Sequence, residues 1–311
     1  MEGIVIKSTG SWFTVMEDNG SKINCKLKGQ FRIKGIKTTN PIAVGDRVEF
    51  IHVRDEFTGL ITRIFERKNH IIRRSTNLSK LSHIIASNID QAVLIITHSQ
   101  PRTSTGFIDR FLVTAEAYHI PAIIVVNKID LFNEVLEKYH NEIVNIYSSI
   151  GYPCYSVSAL KKTNLSQLKD LFKDKKSLVS GHSGVGKSAL INAIEPGLNI
   201  KTGEISLVHN KGKHTTAHTE MHKLSFGGFI IDTPGIKEFG LLDFEKSEVA
   251  ERFPEMREKM HECKFNNCTH VHEPDCAVKL AVEEGKISKS RYLNYLSILD
   301  DSYFEIVDWN K

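Results

Sequence analysis

The sequence predicts a multidomain fold in which a small β-barrel precedes a doubly wound α/β domain and a mostly helical C-terminal domain. Residues 1–71 contain short segments in which apolar and polar residues alternate, as in strands with one buried face. Residues 72–240 alternate continuous apolar segments with amphipathic ones, which is typical of parallel strands covered by helices on both sides. Residues 241–311 are charged, helical in pattern and contain a cysteine cluster. We therefore expect three domains with these boundaries.

The composition is that of an ordinary globular protein. Of the 311 residues, 25% are charged and 41% are hydrophobic. No apolar run approaches the ~20 residues that a membrane-spanning helix needs. The N-terminus, Met1-Glu2-Gly3-Ile4, lacks the basic and apolar regions of a signal peptide. We therefore expect a cytoplasmic protein without a membrane partner.

The N-terminal domain is divided into strands by clear turns. Residues 13–16 and 22–27 alternate apolar and polar side chains, and Asp18-Asn19-Gly20 between them is a turn sequence. About five such strands in roughly 70 residues favour an OB-fold, a barrel that binds oligonucleotides on one face. An SH3-like barrel has a similar pattern and remains the alternative.

Positive charge is concentrated in the same domain. Residues 1–72 hold 12 Lys/Arg and 8 Asp/Glu. The whole chain has 41 Lys/Arg and 37 Asp/Glu, so the rest of the chain holds 29 positive and 29 negative residues. The first domain therefore carries the whole net charge of +4. An excess of cations on a small module suggests contact with a polyanion, although a solvated surface explains the charge equally well.

The α/β domain has the expected alternation of elements. Residues 92–97 and 122–126 are continuous apolar runs, as in parallel strands that are covered on both faces. Residues 107–118 between them place Ile108, Phe111, Leu112 and Ala115 on one helical stripe. Further strands are expected at 154–157 and 177–180, helices at 133–149 and 164–173, and a hairpin around Gly227-Gly228.

A phosphate-binding loop follows the strand at 177–180. Residues 181–188 read Gly-His-Ser-Gly-Val-Gly-Lys-Ser, which matches G-x-x-x-x-G-K-[ST], and an apolar helical segment follows. Backbone N–H groups of such a loop surround the phosphates, while Lys187 contacts the β- and γ-phosphates and Ser188 binds Mg²⁺. The predicted phosphate-site residues are Ser180, Gly181, His182, Ser183, Gly184, Val185, Gly186, Lys187 and Ser188.

A second motif, Asn127-Lys128-Ile129-Asp130, ends the apolar strand at 122–126 and distinguishes guanine from adenine. The Asp130 carboxylate can accept hydrogen bonds from the ring N–H and the exocyclic amine of guanine. Adenine would leave the carboxylate unpaired, at a cost of about 1–3 kcal/mol. Asn127 is expected to brace the loop, and the stem of Lys128 to cover the base.

These motifs stand in the reverse of the usual order. The guanine motif at 127–130 precedes the phosphate loop, and so does the loop with Ser158 and Ala159, where a backbone N–H would meet the guanine carbonyl. In ordinary GTPases the phosphate loop comes first. The order G4-G5-G1-G2-G3 predicts a circularly permuted GTPase domain that binds GTP and GDP with Mg²⁺.

The G3 segment ends another apolar strand. Residues 232–235 read Asp-Thr-Pro-Gly, with Asp232 expected on the Mg²⁺ side and the Gly235 N–H near the γ-phosphate. The next residue is Ile236, where Ras-like GTPases have a glutamine that orients the attacking water. Because an aliphatic side chain cannot polarise water, another group must do so.

The polar segment at 211–216 suits a switch I loop. We expect Thr215 or Thr216 to bind Mg²⁺ or contact the γ-phosphate, and His214 to position the attacking water. A solvated or RNA-contacting histidine is the alternative for His214.

Four potential metal ligands lie within 14 residues of the C-terminal domain. They are Cys263, Cys268, His270 and Cys276. Three thiolates and one imidazole form the closed tetrahedral set of a structural Zn²⁺ site, so we expect one ion with a folding role. His272 is the alternative imidazole, and the isolated Cys25 and Cys154 are expected to be inert core residues.

These motifs together resemble the ribosome-small-subunit-dependent GTPase A family, over nearly the whole chain. The resemblance rests on the N-terminal barrel, the permuted motif order, Gly-Lys-His-Thr-Thr at 212–216 and Asp-Thr-Pro-Gly-Ile at 232–236. It also includes Cys-Lys-Phe-Asn-Asn-Cys-Thr-His at 263–270 and Glu-Pro-Asp-Cys at 273–276.

The resemblance implies an OB-fold, a permuted GTPase domain and a zinc-binding domain. It further implies GTP hydrolysis stimulated by the small ribosomal subunit, contact with its rRNA and a role in late assembly of that subunit. The aliphatic Ile236 matches the hydrophobic residue that the family has there. We expect a monomer in which GTP holds the protein on the subunit and hydrolysis releases it, because residues 239–242 lead from switch II directly into the zinc domain.

Other functions are compatible with parts of the sequence. A GTP-dependent switch that binds a non-ribosomal protein partner is the main alternative. Asp130 disfavours a phosphate-loop kinase. Intact Lys187, Ser188 and Asp232 disfavour an RNA-binding module with a vestigial nucleotide site.

Overall fold

The first five strands form a closed barrel. The structure is a computed structural model that describes residues 1–27, 41–53, 56–74, 82–200, 219–232 and 246–300. The barrel strands are β1 (Glu2–Ser8), β2 (Phe13–Glu17), β3 (Lys22–Leu27), β4 (Arg47–His52) and β5 (Thr58–Ile64). Their order in the sheet is β1-β2-β3-β5-β4. Strands β3 and β5 run parallel, and an antiparallel pairing of β1 with β4 closes the barrel. Alternate residues such as Val15, Cys25 and Phe50 fill its core. The predicted OB-type barrel is confirmed.

A two-stranded hairpin connects the barrel to the α/β domain. Strands β6 (His70–Arg74) and β7 (Ser82–Ser87) pair antiparallel as a separate sheet. The sequence pattern did not predict this hairpin.

The α/β domain is doubly wound around a central sheet. Its strands are β8 (Gln91–Ile96), β9 (Ala122–Val126), β10 (Cys154–Ser156), β11 (Lys176–Ser180), β12 (Glu220–Lys223) and β13 (Phe229–Asp232). Their order is β10-β9-β8-β11-β13-β12, and only the β12–β13 hairpin pairing within this set is antiparallel. That hairpin turns at the predicted Gly227-Gly228.

Two helices cover each face of this sheet. They are α1 (Thr105–Ala117) and α2 (Glu134–Ser149) on one face, and α3 (Leu165–Phe172) and α4 (Lys187–Ile194) on the other. Alternate β8 side chains enter the two cores, with Leu94 packed on the α1 side and Val93 on the α4 side. The predicted helical stripe of α1 is buried as expected.

The barrel and the central sheet share one continuous eleven-stranded ladder. Strand β1 pairs antiparallel with β12 through Lys7 and Glu220, whose side chains form a 2.9 Å ion pair. Ile6 and Met16 on the outside of the barrel pack in the same core as Met221 of β12. Hydrogen bonds and apolar packing therefore both join the two domains.

A buried carboxylate reinforces this junction. Asp46 is fully buried and accepts hydrogen bonds from the Arg67 guanidinium at 2.6 and 2.7 Å and from the Ser87 hydroxyl at 2.6 Å. The three residues come from the barrel, the following linker and β7, so one charged group ties these segments together.

The C-terminal unit is helical and has its own core. Its helices are α5 (Lys246–Val249), α6 (Pro254–Met260), α7 (Ala277–Glu283) and α8 (Lys289–Leu299). Phe253, Met256, Val278 and Tyr295 form the centre of this core, and Val113 of α1 packs into it. No helix in the described parts of the chain is long and apolar enough to span a bilayer.

A buried ionic cluster fixes α8 to α1. Arg291 is 1% exposed and pairs with Asp109 of α1 at 2.6 Å and with Glu255 of α6 at 2.7 Å. Tyr147 and Asn294 donate further hydrogen bonds to Asp109. Every charge in the cluster has a charged partner, which is the condition for burying such groups without a large penalty.

We expect Arg291→Met to destabilise the attachment of the C-terminal unit by about 3–5 kcal/mol, because it leaves two buried carboxylates unpaired. Hydrogen exchange of the α8 amides measures this opening, and we expect exchange to become at least about 100-fold faster. The matched control is Arg257→Met, because Arg257 forms a half-exposed pair with Glu116 and should cost less than about 1 kcal/mol. Equal exchange rates in the two variants would show that the buried cluster does not hold the unit.

Candidate functional site

The phosphate loop lies between β11 and α4 and depends on glycine. Gly181 has φ +145°, and an added Cβ there would lie 2.2 Å from the carbonyl oxygen of Ile95. Gly186 has φ +91°, and its added Cβ would lie 2.5 Å from the Asn127 amide nitrogen. Only glycine fits these positions, so the neighbouring loops can approach the backbone closely.

The amine of Lys187 lies within the concave side of this loop. Its Nζ donates to the carbonyl oxygens of Gly181 and His182 at 2.6 and 2.7 Å. Lys187 and Ser188 are 9% and 8% exposed, at the start of α4. The loop therefore holds one cation and one hydroxyl at a helix N-terminus, an arrangement suited to a bound phosphate group.

Asn127 joins the phosphate loop to the loop that follows β10. Its Nδ2 donates to the Val185 carbonyl at 2.9 Å, and its Oδ1 accepts from the Ala159 N–H at 3.2 Å. Asn127 is 2% exposed. One side chain thus brings together segments that are separated by 58 and 32 residues along the chain.

Lys128 forms a second bridge. It has φ +63°, and its Nζ donates to Gly184 of the phosphate loop at 2.8 Å and to the carbonyl of Gln100 at 2.6 Å. The extended stem of Lys128 therefore runs from the guanine motif towards the phosphate loop. Such a stem provides an apolar surface on which a planar base can lie.

Asp130 lies in a short 3₁₀ turn, Ile129–Leu131, beside the loop after β10. One of its carboxylate oxygens accepts a hydrogen bond from the Ser158 hydroxyl. Ser158 is fully buried, and its hydroxyl also accepts the N–H of Lys161 at 3.0 Å. These contacts fix a carboxylate at the edge of the sheet where the loops after β9 and β10 meet.

The G3 strand lies beside the phosphate-loop strand. Strand β13 pairs parallel with β11, with Ile231 opposite Leu178, so its last residue, Asp232, lies at the carboxyl end of the sheet. The predicted His214, Thr215, Thr216 and Gly235 lie outside the described residues, as does Ile236.

The four predicted zinc ligands converge in the C-terminal unit. The donor atoms of Cys263, Cys268, His270 and Cys276 all lie within 4.8 Å of one another. His270 Nδ1 is 3.6 Å from Cys263 Sγ and 3.4 Å from Cys276 Sγ, and the two sulfurs are 4.0 Å apart. Tetrahedral ligands of one Zn²⁺ lie about 3.5–3.8 Å apart. The donor set and its spacing are therefore compatible with zinc.

The environment of the cluster opposes ionisation of the Cys268 and Cys276 thiols, since burial raises the pKa of both. Burial and the neighbouring thiol groups raise the pKa of Cys268 to about 12. A divalent cation would supply the charge that permits the thiolate form, which is the form that binds metals.

Hydrogen bonds outside the cluster order the loop that carries its four donor residues. Burial alone would raise the pKa of Glu273, but hydrogen bonds from Thr269 and from the backbone hold it at about 2. Tyr292 and Tyr295 of α8 donate to the carbonyls of His270 and Thr269 at 2.7 and 2.6 Å. These contacts place His270, rather than the exposed His272, among the cysteines.

Two features beside the nucleotide site were not expected from the sequence. The loop 97–103 after β8 supplies the Gln100 carbonyl to Lys128, and the Phe107 ring stacks on the phosphate-loop His182 at a centroid distance of 3.8 Å. The loop could have been predicted as part of the site from its position after an apolar strand, because ligands bind at the carboxyl ends of parallel strands. The stacking depends on a contact between distant segments and has no local signal.

Comparison with known protein families gives two matches. The model of the RsgA GTPase family matches residues 64–242, and the model of the RsgA N-terminal domain matches residues 2–61. A relative from Bacteroides thetaiotaomicron, named small ribosomal subunit biogenesis GTPase RsgA 2, is 55% identical over 301 residues, which cover 97% of each chain.

Two solved structures share the whole architecture. YjeQ from Thermotoga maritima matches with a TM-score of 0.79 and 38% identity over 96% of this chain and 97% of that one. YloQ, described as a circularly permuted GTPase, matches with a TM-score of 0.76 and 35% identity over 98% of this chain and 95% of that one. The order of elements found here is therefore also found in experimentally determined structures.

We expect the purified protein to hold one zinc ion per chain and Cys276→Ser to lower its zinc affinity by at least about 100-fold, because a four-ligand site loses one thiolate. Metal analysis after dialysis against a mild chelator measures this loss. Cys154→Ser is the control and should retain the ion. His270→Ala and His272→Ala identify the fourth ligand, and only the first should lose zinc. Full zinc retention by Cys276→Ser would contradict the assignment.

Proposed function

This chain belongs to the RsgA GTPase family, and we propose that it binds the small ribosomal subunit and acts in its late maturation. The protein is a GTP hydrolase, and the names of its close relatives refer to small ribosomal subunit biogenesis. The observation that supports a nucleotide site is the pair of hydrogen bonds by which Asn127 joins the loops of the guanine and phosphate motifs, and the names of the relatives support the ribosomal partner.

We assign the guanine to the edge of the sheet where the loops after β9 and β10 meet. Asp130 would accept the ring N–H and the exocyclic amine, the Ala159 region would meet the guanine carbonyl, and the Lys128 stem would cover the base. The phosphates would lie in the loop 181–188, with Ser188 and Asp232 on the Mg²⁺ side. Mg²⁺ would neutralise the charge that develops on the β- and γ-phosphates.

For hydrolysis, we assign transition-state stabilisation to Lys187 and the Gly235 N–H, and a Mg²⁺ or γ-phosphate contact to Thr215 or Thr216. His214 is assigned to positioning the attacking water, since Ile236 cannot do so. Because the switch II residue Gly235 is followed closely by the C-terminal unit, loss of the γ-phosphate would alter the attachment to the subunit, so that hydrolysis drives release.

We expect purified small ribosomal subunits to raise GTP turnover, and His214→Ala to lower the stimulated rate about 100-fold or more while GDP affinity stays within about twofold. Phosphate release measures turnover. Large subunits and free rRNA are comparison partners, and His222→Ala of β12 is the control variant. A stimulated rate that His214→Ala does not change would reject its assigned role. Stimulation by a non-ribosomal protein alone would instead favour the alternative function.

One outer face of the barrel is suited to rRNA. This barrel face consists of Trp12, Thr14, Lys22, Asn24 and Lys26 on neighbouring strands, since Thr14 lies opposite Asn24 in the β2–β3 register. Lys26 Nζ lies 4.4 Å from the Trp12 ring centroid, and Thr14 donates to Asn24 Oδ1 at 3.1 Å. The aromatic ring beside Lys26 can stack on a base, while Lys26 and, further along the same face, Lys22 contact phosphates.

We expect Lys22→Ala/Lys26→Ala to weaken binding to small subunits and to lower the slope of log affinity against log salt by about 2, because two phosphate contacts are lost. Trp12→Ala should cost about 1–3 kcal/mol with little change in that slope. Titrations at several salt concentrations measure both effects. Lys173→Ala/Lys175→Ala, which removes two exposed lysines after α3, is the charge-matched control. If both double variants lose the same affinity for small subunits, the loss reflects net charge, and the barrel face is not the rRNA-binding surface.

The remaining assignments concern the whole chain. We propose that one Zn²⁺ is held by the Cys₃His cluster and stabilises the fold of the C-terminal unit. We also propose domain limits at 1–71, 72–240 and 241–311, a monomeric state and a cytoplasmic location.

A further inference from the structure

A buried histidine, His98, and a partly buried one, His140, connect the ends of β8 and β10 beside the guanine motif. His98 follows β8 and is 4% exposed, and its Nε2 lies 3.1 Å from Nδ1 of His140 on α2. The other nitrogen of His140, Nε2, lies 2.9 Å from the Ser156 hydroxyl at the end of β10. Strand β9, which ends in the guanine motif, lies between β8 and β10. This His98–His140–Ser156 relay therefore spans the sheet on both sides of that motif.

The relay contacts the guanine motif through Phe132. The Phe132 ring stacks on His98 with a centroid distance of 5.6 Å and packs against His140 at 5.1 Å. Phe132 directly follows the 3₁₀ turn that carries Asp130, and its N–H donates to the Ile129 carbonyl at 3.1 Å. The orientation of the two imidazoles therefore determines where this turn is anchored.

The surroundings keep both imidazoles neutral. Burial, then the neighbouring His140 and the cation of Arg102, lower the pKa of His98 to about 4. Burial also lowers the pKa of His140, although the charge of Glu137 opposes this effect. Arg102 itself lies over the Tyr139 ring at 4.9 Å, and the Tyr139 ring packs edge-on against His98.

Neutral imidazoles can form a directional chain of hydrogen bonds. A neutral imidazole has one N–H donor and one acceptor nitrogen, and each hydrogen bond of the relay needs one of each. The tautomer of one histidine therefore sets the tautomer of the other. Apolar side chains would fill the same space without this restriction. Buried polar groups that are fully satisfied specify one arrangement of the groups around them.

We infer that the His98–His140–Ser156 relay is a positioning element for guanine recognition, which acts through Phe132 to hold the Asp130 turn in its base-binding position. This inference rests on the proposed role of Asp130 as the guanine-reading carboxylate. His98 and His140 are positioning residues here, and neither contacts the nucleotide.

Side-chain amides provide a sharp test, because they replace single imidazole nitrogens. His98→Gln places an amide near the Nε2 position and retains the contact to His140, whereas His98→Asn is too short to reach it. The measured quantities are the Kd values of GDP and IDP, because inosine lacks the exocyclic amine that Asp130 would bind. Their ratio reports the position of the carboxylate and is insensitive to global stability.

We expect His98→Asn to weaken GDP binding about 3- to 10-fold and to lower the IDP/GDP ratio of Kd values towards one. His98→Gln should retain the wild-type ratio within about twofold. Ile143→Val is the control for stability, because Ile143 is buried on α2 in the same core and has no polar group in the relay. That variant should lower the melting temperature and leave the ratio unchanged.

A further variant separates failure of this inference from failure of the proposed function. Asp130→Asn should shift preference from GDP to xanthosine diphosphate, because the amide can donate to the C2 carbonyl of xanthine. If no shift occurs, the guanine assignment fails and the relay inference fails with it. If the shift occurs but His98→Asn keeps the wild-type ratio, only the relay inference is overturned.

Discussion

The nucleotide site depends on the single side chain of Asn127. Its amide donates to the phosphate loop and accepts from the loop after β10, so three segments from distant parts of the chain are held at one edge of the sheet. Such contacts depend on the positions of strands and are unaffected by the order in which the chain connects them. This explains how a permuted chain can build the same type of site as an unpermuted GTPase: the spatial neighbours are preserved although the sequence order is not.

The sequence predicted the features that are determined by residues close together along the chain. The glycines at 181 and 186 and the apolar stripe of α1 each follow from short-range geometry, and the three units of the fold followed from such patterns. The hairpin β6–β7, the stacking of Phe107 on His182 and the His98–His140 contact were not predicted. Each of these depends on which elements the tertiary fold brings together, and a lone histidine or arginine in a sequence carries no sign of its distant partner.

Buried charge connects the three units of the fold. Asp46 ties the barrel to the linker and β7, and Asp109 ties α1 to the C-terminal helices through Arg291. A rotation of the C-terminal unit against α1 would separate ionised groups inside the protein, which is far more costly than sliding apolar surfaces past one another. The C-terminal unit and α1 therefore move together. Under the proposed release mechanism, a change at switch II would reach the small ribosomal subunit by displacing this assembly as a whole.

The pairing of β1 with β12 has a mechanical consequence. The hairpin that ends in Asp232 has the first strand of the barrel as its lateral neighbour, with Lys7 opposite Glu220. The two strands are joined there by one residue pair, by its 2.9 Å ion pair and by the apolar core that Ile6 and Met16 share with Met221. If the proposed loss of the γ-phosphate displaces Asp232, the pairings of β13 with β12 and of β12 with β1 would carry that displacement to the barrel. The orientation of the barrel would then depend on which nucleotide is bound.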